Sequence, residues 1–380
     1  MPNRRRRAPT DSIEQAVKWH AHSLSLMERG EYVQAHDFCE RALRTIDRQL
    51  GPDDPDAANV AATLGEICEA LSLYAKAEEL YRRAMVTCTG LPPGGDVDVI
   101  HVQAVRRFAG IQRVQGRYVE AEQLYREALD IAESRLGPDH LEVASVLNGL
   151  GVLYKCVARL DDAEPLYRRA LAILERQLGS NHPDVATIYH NMGGLDHARG
   201  RFATGEQLAR RSVEIRTRVR GPDHPEVAAD IAALAALVEG DGRFEEAGQL
   251  YRRALDIFQN AFGEEHYEIA VTLNSLAGVM AARGHTTEAE DLYLRGLRIR
   301  ERILGPTHAE VGLVLNNLAM LYESTGCQKK ARESVERALV IVQQALGPNH
   351  PTTAVCQRNR DRVLNSADPQ RPHLSAGGVG

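Results

Sequence analysis

The sequence predicts an all-α solenoid of about eight antiparallel helix pairs closed by a C-terminal capping helix, and three observations carry that expectation. A glycine-led chain breaker returns at a fixed interval. The stretches between breakers hold apolar residues at helical spacing. Two alanine positions with a tyrosine between them recur in unit after unit.

The breaker sets the phase. Gly137-Pro138-Asp139-His140 returns as Gly179-Ser180-Asn181-His182, Gly221-Pro222-Asp223-His224, Gly263-Glu264-Glu265-His266, Gly305-Pro306-Thr307-His308 and Gly347-Pro348-Asn349-His350, with glycines 42 residues apart. Gly51 and Gly95 extend the series upstream, with two extra residues near Leu91-Pro92-Pro93. Fixed-period self-similarity is the signature of stacked supersecondary units. The units fall at 9–50, 51–94, 95–136, 137–178, 179–220, 221–262, 263–304 and 305–346, within a solenoid over 11–364.

Each unit reads as two helices of about 18 residues, near 27 Å each at 1.5 Å per residue. Pro55, Pro183, Pro225 and Pro351 stand where a first helical turn tolerates proline. The first helix then follows a 3.6-residue apolar spacing, as in Val314, Leu315, Leu318, Ala319, Leu321 and Tyr322. A turn glycine closes it at Gly30, Gly116, Gly200, Gly242, Gly284 or Gly326. The second helix holds Ala35, Ala77, Ala121, Ala163, Ala247, Ala289 and Ala331 at one site and Ala42, Ala84, Ala128, Ala170, Ala254 and Ala338 seven residues later. Tyr81, Tyr125, Tyr167, Tyr251 and Tyr293 lie between them. Small residues admit close helix approach, while tyrosine fills the adjoining gap and takes its hydroxyl to a polar partner. A capping helix over 347–364 places Gln357, Arg360 and Asp361 at core positions, the polar face that the end of an array needs. Residues 1–10 are expected to be a disordered basic terminus and 365–380 a disordered tail rich in Pro, Gly and Ser.

Bulk properties exclude several classes. At 380 residues, 43% apolar and 26% charged, the chain has soluble-protein composition, and a formal charge of -6 lacks the footprint of a general nucleic-acid binder. No apolar run approaches a membrane span, and no apolar segment follows Arg4, Arg5, Arg6 and Arg7 as in a secretory signal. That arginine run reads as a solvated terminus, with a localisation or nucleic-acid role as the alternative. Cys39, Cys68, Cys88, Cys156, Cys327 and Cys356 are scattered, as in a reducing cytoplasm. Arginine supplies all cations but Lys18, Lys76, Lys155, Lys329 and Lys330, a skew that suggests a GC-rich bacterial genome.

Trp19, the first-helix pattern of Leu150, Gly151 and Tyr154 (or Leu318, Ala319 and Tyr322), and the Ala/Tyr/Ala second helix together resemble the tetratricopeptide repeat. The segments 315–322 and 124–129, with the Gly-Pro-Asp-His-Pro linker, are similar to the kinesin-light-chain type of unit. The resemblance covers 11 to about 364. It implies a right-handed superhelix whose first helices line a concave side that binds peptides. It does not extend to a motor role, because the heptad coiled coil through which kinesin light chains bind the motor chain has no counterpart before these repeats.

On that reading, first-helix residues pointing away from the packing are candidate peptide contacts: Arg106, Arg107 and Arg113 in the third unit, Asn148, Lys155 and Cys156 in the fourth, and His190, Asn191 and His197 in the fifth. Asn274 and Ser275 follow in the seventh, and Asn316, Asn317 and Glu323 in the eighth. Guanidinium forks suit carboxylates, and asparagine can donate to and accept from an extended backbone, so an acidic or C-terminal peptide is the expected ligand. The alternative is that these arginines simply solvate a helix face. The fifth unit departs most from the pattern, with Asp196 in place of the expected Tyr, Gly205 of the expected Ala and Ser212 of the second Ala, which marks either function or drift.

The linker histidines His140, His182, His224, His266, His308 and His350 each sit in a separate unit and are expected to start helices rather than share a metal. His190 and His197 stand about 10.5 Å apart along a helix and cannot chelate together. No phosphate loop, dinucleotide fingerprint, zinc-protease or nucleophile-elbow motif occurs. The expectation is a cytoplasmic, non-catalytic adaptor with no cofactor and no metal, whose partner is a protein or peptide and not nucleic acid or membrane. A regulatory component of a signalling or transcriptional system, and self-assembly as a homodimer, are the alternatives.

Overall fold

The computed structural model describes residues 12–348 and 350–366. The terminus expected at 1–10 lies outside them, as do residues 367–380 of the tail expected at 365–380, whereas Asn365 and Ser366 end the last helix. The described residues contain 17 α-helices and no strand, and they form two compact units that part within one helix, after Asn191.

The first unit holds α1 (Ile13–Glu28), α2 (Tyr32–Gln49), α3 (Pro55–Ala70), α4 (Tyr74–Gly90), α5 (Gly95–Val114), α6 (Tyr118–Ile131), α7 (Leu141–Cys156), α8 (Leu160–Leu178) and the start of α9 (Pro183–Ala198). A single π-helical turn, Ala132–Leu136, continues α6. Each odd helix packs on the even helix that follows, and α3, α5 and α7 also touch one another in series. A core of Ala16, Leu26, Ala35, Cys39, Leu64, Ile67, Tyr81 and Ile111 runs through it.

In the second unit are the end of α9, then α10 (Phe202–Arg220), α11 (Pro225–Gly240), α12 (Phe244–Phe262), α13 (Tyr267–Ala282), α14 (Thr286–Leu304), α15 (Ala309–Ser324), α16 (Gln328–Leu346) and α17 (Pro351–Ser366). The pairing is the same, with α11, α13, α15 and α17 in series. One continuous core joins Val227, Ile231, Tyr251, Phe258, Leu273, Leu318 and Val335 to Val363 on α17. A helix pair cannot bury its apolar face alone, and each neighbour completes the core of the last. On α17 the buried positions are Thr353, Cys356 and Val363, while Asp361 of the expected polar face is exposed and Gln357 and Arg360 are half-buried.

Sequence signals explain the helix ends. Each recurring histidine is a cap whose ring Nδ1 accepts from the backbone N–H two residues on: Glu142 to His140 (3.1 Å), Asp184 to His182 (3.2 Å), Glu226 to His224 (3.2 Å), Glu268 to His266 (3.3 Å), Glu310 to His308 (3.3 Å) and Thr352 to His350 (3.2 Å). One of the donors that a helix start leaves orphaned is satisfied in this way. Asp54 and Ser12 do the same for α3 and α1.

The turn between the helices of a pair needs one residue in the left-handed region, and glycine supplies it at Gly116 (φ 76°) and its equivalents. Sequence reading left the second and fourth pairs without such a glycine. There Ser72 (φ 60°) and Ala158 (φ 59°) adopt the same conformation, and the next residues, Leu73 and Arg159, close the same 6→1 bonds, to Cys68 and Tyr154.

Two outcomes follow. His308→Ala should lower stability by about 1 kcal/mol, the usual cost of a lost cap, and H308N should recover most of it, read as thermal midpoints by circular dichroism. Ala158→Gly should raise stability by about 0.5–1 kcal/mol, because relief of the left-handed strain exceeds the added unfolded-chain entropy. A lower melting temperature for A158G would refute the strain assignment.

Candidate functional site

The surface of the first helices carries the residues that the sequence singled out. In the first unit, Arg107 of α5 forms an ion pair with Glu66 of α3 at 2.9 Å, and Arg106 Nε lies 3.9 Å from Glu142 at the start of α7. Both arginines are half-buried. Arg106 helps to line a cleft of about 150 Å³ with Asn148, Ser145 and Asp184. Arg113 is placed differently. Its charge stands near the Tyr125 hydroxyl of α6, where it opposes the rise that burial imposes on that phenol, and its buried Nε has no hydrogen-bond partner. Lys155 of α7 is half-buried beside Cys156 and Arg113. Neither Arg113 nor Lys155 has a carboxylate in ion-pair range among the described residues. Burial pushes the Lys155 ammonium below its ordinary pKa; the Cys156 thiol opposes that shift, and the Arg113 charge adds to it.

The asparagines bond to one another. Asn191 Nδ2 donates to Asn148 Oδ1 (2.8 Å) in the first unit. In the second, Asn317 donates to Asn274 (3.2 Å) and Asn359 of α17 donates to Asn316 (2.9 Å). His20 Nε2 and Thr63 Oγ1, 3.0 Å apart, make the equivalent contact at the N-terminal end. Every pair is separated by 43 residues, one repeat plus one, so each ties a first helix to the next. These amides, expected to face a peptide backbone, spend one hydrogen bond each on the array and keep the rest of their capacity. His190 is half-buried and has partners of its own. His197, in the second unit, is exposed and meets the Phe202 ring edge-on with centroids 5.7 Å apart. Asn317 also lines a cleft of about 220 Å³ with Tyr293, Met320 and Ser324.

Sequence reasoning singled out Arg113, Lys155, His197 and Glu323 separately but missed that they share one column, three residues before the left-handed turn position. It reads Met27, Glu69, Arg113, Lys155, His197, Glu239, Ala281, Glu323 along the chain. The tyrosine twelve residues later reaches it: Tyr81 donates to Glu69 (3.1 Å) and Tyr251 to Glu239 (3.0 Å). Aligning the repeats on their turns rather than on their glycines would have exposed the column, but Ser72 and Ala158 hide two of the turns. Burial raises the Glu239 pKa; the Tyr251 hydroxyl and the His197 charge oppose it without overcoming it.

The chain matches the family Tetratricopeptide repeat at residues 14–85, 102–176, 157–204, 184–247, 229–302 and 268–339. It belongs to the tetratricopeptide repeat family. Solved structures similar to this tetratricopeptide chain include a signal transduction ATPase with numerous domains and a tetratricopeptide repeat sensor from Pyrococcus horikoshii, at 14% identity and TM-score 0.62, covering 95% of this chain and 51% of that one. A Rap protein complexed with competence and sporulation factor is similar at 14% identity and TM-score 0.56, covering 93% and 98%. The nearly identical TPR-like repeats of a Podosopora anserina protein assigned as a kinesin light chain align at 23% identity and TM-score 0.46, over 54% and 97%. At these identities the likeness is one of fold. A search of curated proteins gives no match.

Glu239 gives a pH test within the array. A carboxyl with a raised folded pKa favours folding while it is protonated, and that contribution is lost as pH rises through the folded value. The E239Q variant keeps an acceptor for Tyr251 without the buried charge. It should melt above wild type at neutral pH, and the two should converge below the ordinary carboxylate range. A constant gap across that window would contradict the assignment.

Proposed function

We propose that this tetratricopeptide array is a protein-interaction scaffold that holds an acidic peptide segment along the first-helix face of α5, α7 and the start of α9. One observation carries the reading. Four cations, Arg106, Arg107, Arg113 and Lys155, stand on two successive first helices, and among the described residues only Glu66 and Glu142 lie within ion-pair range of them. Charged pairs that the fold itself balances leave nothing for a ligand, whereas two unanswered cations favour an anionic partner. Asn148 and Asn191 lie on the same face with amide capacity left over, suited to an extended backbone. The helix pairs are rigid and pre-packed, so little ordering cost falls on the scaffold when it binds.

The test leaves the charges untouched. A photo-crosslinking amino acid replaces Val152, which lies between Asn148 and Lys155 on α7, or Val119 on the exposed face of α6. In source lysate, crosslinked adducts should form from the Val152 position, be absent from the Val119 position, and weaken as ionic strength rises. Adducts from Val119 alone would move the interaction to the second helices and overturn the reading.

A further inference from the structure

In the second unit the column of turn residues breaks at Ala281, and what lies beside the break is independent of the scaffold reading above. The second and sixth pairs supply a carboxylate to the buried tyrosine twelve residues on, Glu69 to Tyr81 and Glu239 to Tyr251. The seventh pair has Ala281 there, whose methyl cannot accept, and its tyrosine is Tyr293. Tyr293 is 6% exposed, and its hydroxyl makes no hydrogen bond among the described residues. One turn before Ala281 stands Gly278, so α13 presents two small residues to that hydroxyl. The space they leave is the cleft of about 220 Å³, walled by Met320 and Leu321 of α15. A Cβ built on Gly278 would lie 3.6 Å from Tyr293 Oη and 4.0 Å from Glu239 Oε1, so the two oxygens flank the same bare stretch of backbone. Glu239 Oε2 accepts from the Tyr251 hydroxyl (3.0 Å), which leaves Oε1 free. Among the described residues no cation lies in ion-pair range of it, and the His197 charge acts from farther off. A half-buried carboxylate without a cation and a buried phenol without a partner are each costly, and here they meet beside an open space.

We propose that this cleft between α13 and α15 binds a small organic ammonium compound, whose nitrogen donates to Glu239 Oε1 and Tyr293 Oη and whose apolar body lies against Ala281, Met320 and Leu321. An ammonium carries three donors and no acceptor, which matches a free carboxylate oxygen and a phenol oxygen. Charge sets the class. A carboxylate ligand would meet Glu239 with like charge, and a wholly apolar one would leave both oxygens unpaired. Size sets the body. A cleft below the roughly 300–1,000 Å³ of common ligand pockets suits a molecule of fragment size.

The experiment titrates the full chain at neutral pH with isopentylamine, isopentyl alcohol, isovalerate and Nα-acetyl-lysine methylamide, read by ligand-observed NMR. Wild type should bind isopentylamine at least about tenfold more tightly than the alcohol or the acid, and more tightly than the lysine derivative. Glu239→Gln keeps an acceptor for Tyr251 without the charge and should weaken the amine at least about tenfold. Tyr293→Phe should leave the unliganded melting temperature equal or higher and weaken the amine about threefold to tenfold. Gly278→Ala places a methyl where the nitrogen would lie, at ordinary contact distance from its neighbours. It should raise the melting temperature, as alanine does for glycine inside a helix, yet weaken the amine at least about tenfold. Glu333→Gln, an equal charge change at an exposed position on α16, should bind as wild type does. Equal binding of the amine and the alcohol, amine binding unchanged in E239Q or G278A, equal loss in E333Q, or no amine binding at all would each overturn the site. Preference for the lysine derivative over isopentylamine would assign the cleft to a lysine side chain of a partner and overturn the small-molecule reading as well. Crosslinks from Val152 report on the first unit and are untouched by any of these results.

Discussion

The second-helix tyrosine links packing and chemistry in this array. A Cβ built on Gly65 would lie 2.6 Å from the Tyr81 ring, and one on Gly151 would lie 2.6 Å from the Tyr167 ring, so each ring rests directly on a bare patch of its partner helix. Close approach of this kind brings the helices of a pair together and excludes water from the contact. It also delivers a phenol hydroxyl into a place where solvent cannot serve it. The hydroxyl must then find an acceptor in the protein or remain unsatisfied. Tyr81 and Tyr251 find glutamates, and Tyr167 does not. The contact that brings the helices of a pair together thus also decides which buried hydroxyls are satisfied within the chain.

Around that contact the helices are tied in two ways. Side-chain amides join successive first helices at a separation of 43 residues, and ion pairs such as Arg252 to Glu288 (2.8 Å) and Arg83 to Asp47 join successive second helices at 36. The exposed ion pairs contribute little each, while the half-buried amide bonds contribute about 0.5–1.5 kcal/mol apiece. Their main effect is on register, since an amide paired across two helices is satisfied in one alignment and orphaned in the neighbouring ones. Buried Arg216 with Asp230 (2.7 Å) is a further fixed point inside the second unit.

Much of this was legible in the chain. The glycine period, the alanine pair and the tyrosine between them gave the helix pairs, and the linker histidines were expected at helix starts, where their rings are found capping. Legibility failed where a residue's identity says little about its surroundings. Asn274 and Asn316 look like ligand contacts in sequence, but their acceptor oxygens belong to the next first helix. Ser72 and Ala158 look like ordinary residues, yet they hold the left-handed turn that glycine holds elsewhere. In both cases the deciding partner or dihedral lies outside any local pattern.

Periodicity and composition alone determined that the chain is helical, repetitive and built from pairs, because those properties follow from spacing along one chain and each unit repeats the same spacing. Tertiary structure decided which cations are answered. Arg107 meets Glu66 one first helix away, whereas among the described residues Arg113 and Lys155 stand near each other with no carboxylate in ion-pair range. The distinction is set by three-dimensional distance between residues some forty positions apart, on which both Coulomb energy and hydrogen bonding depend and which a linear pattern does not contain.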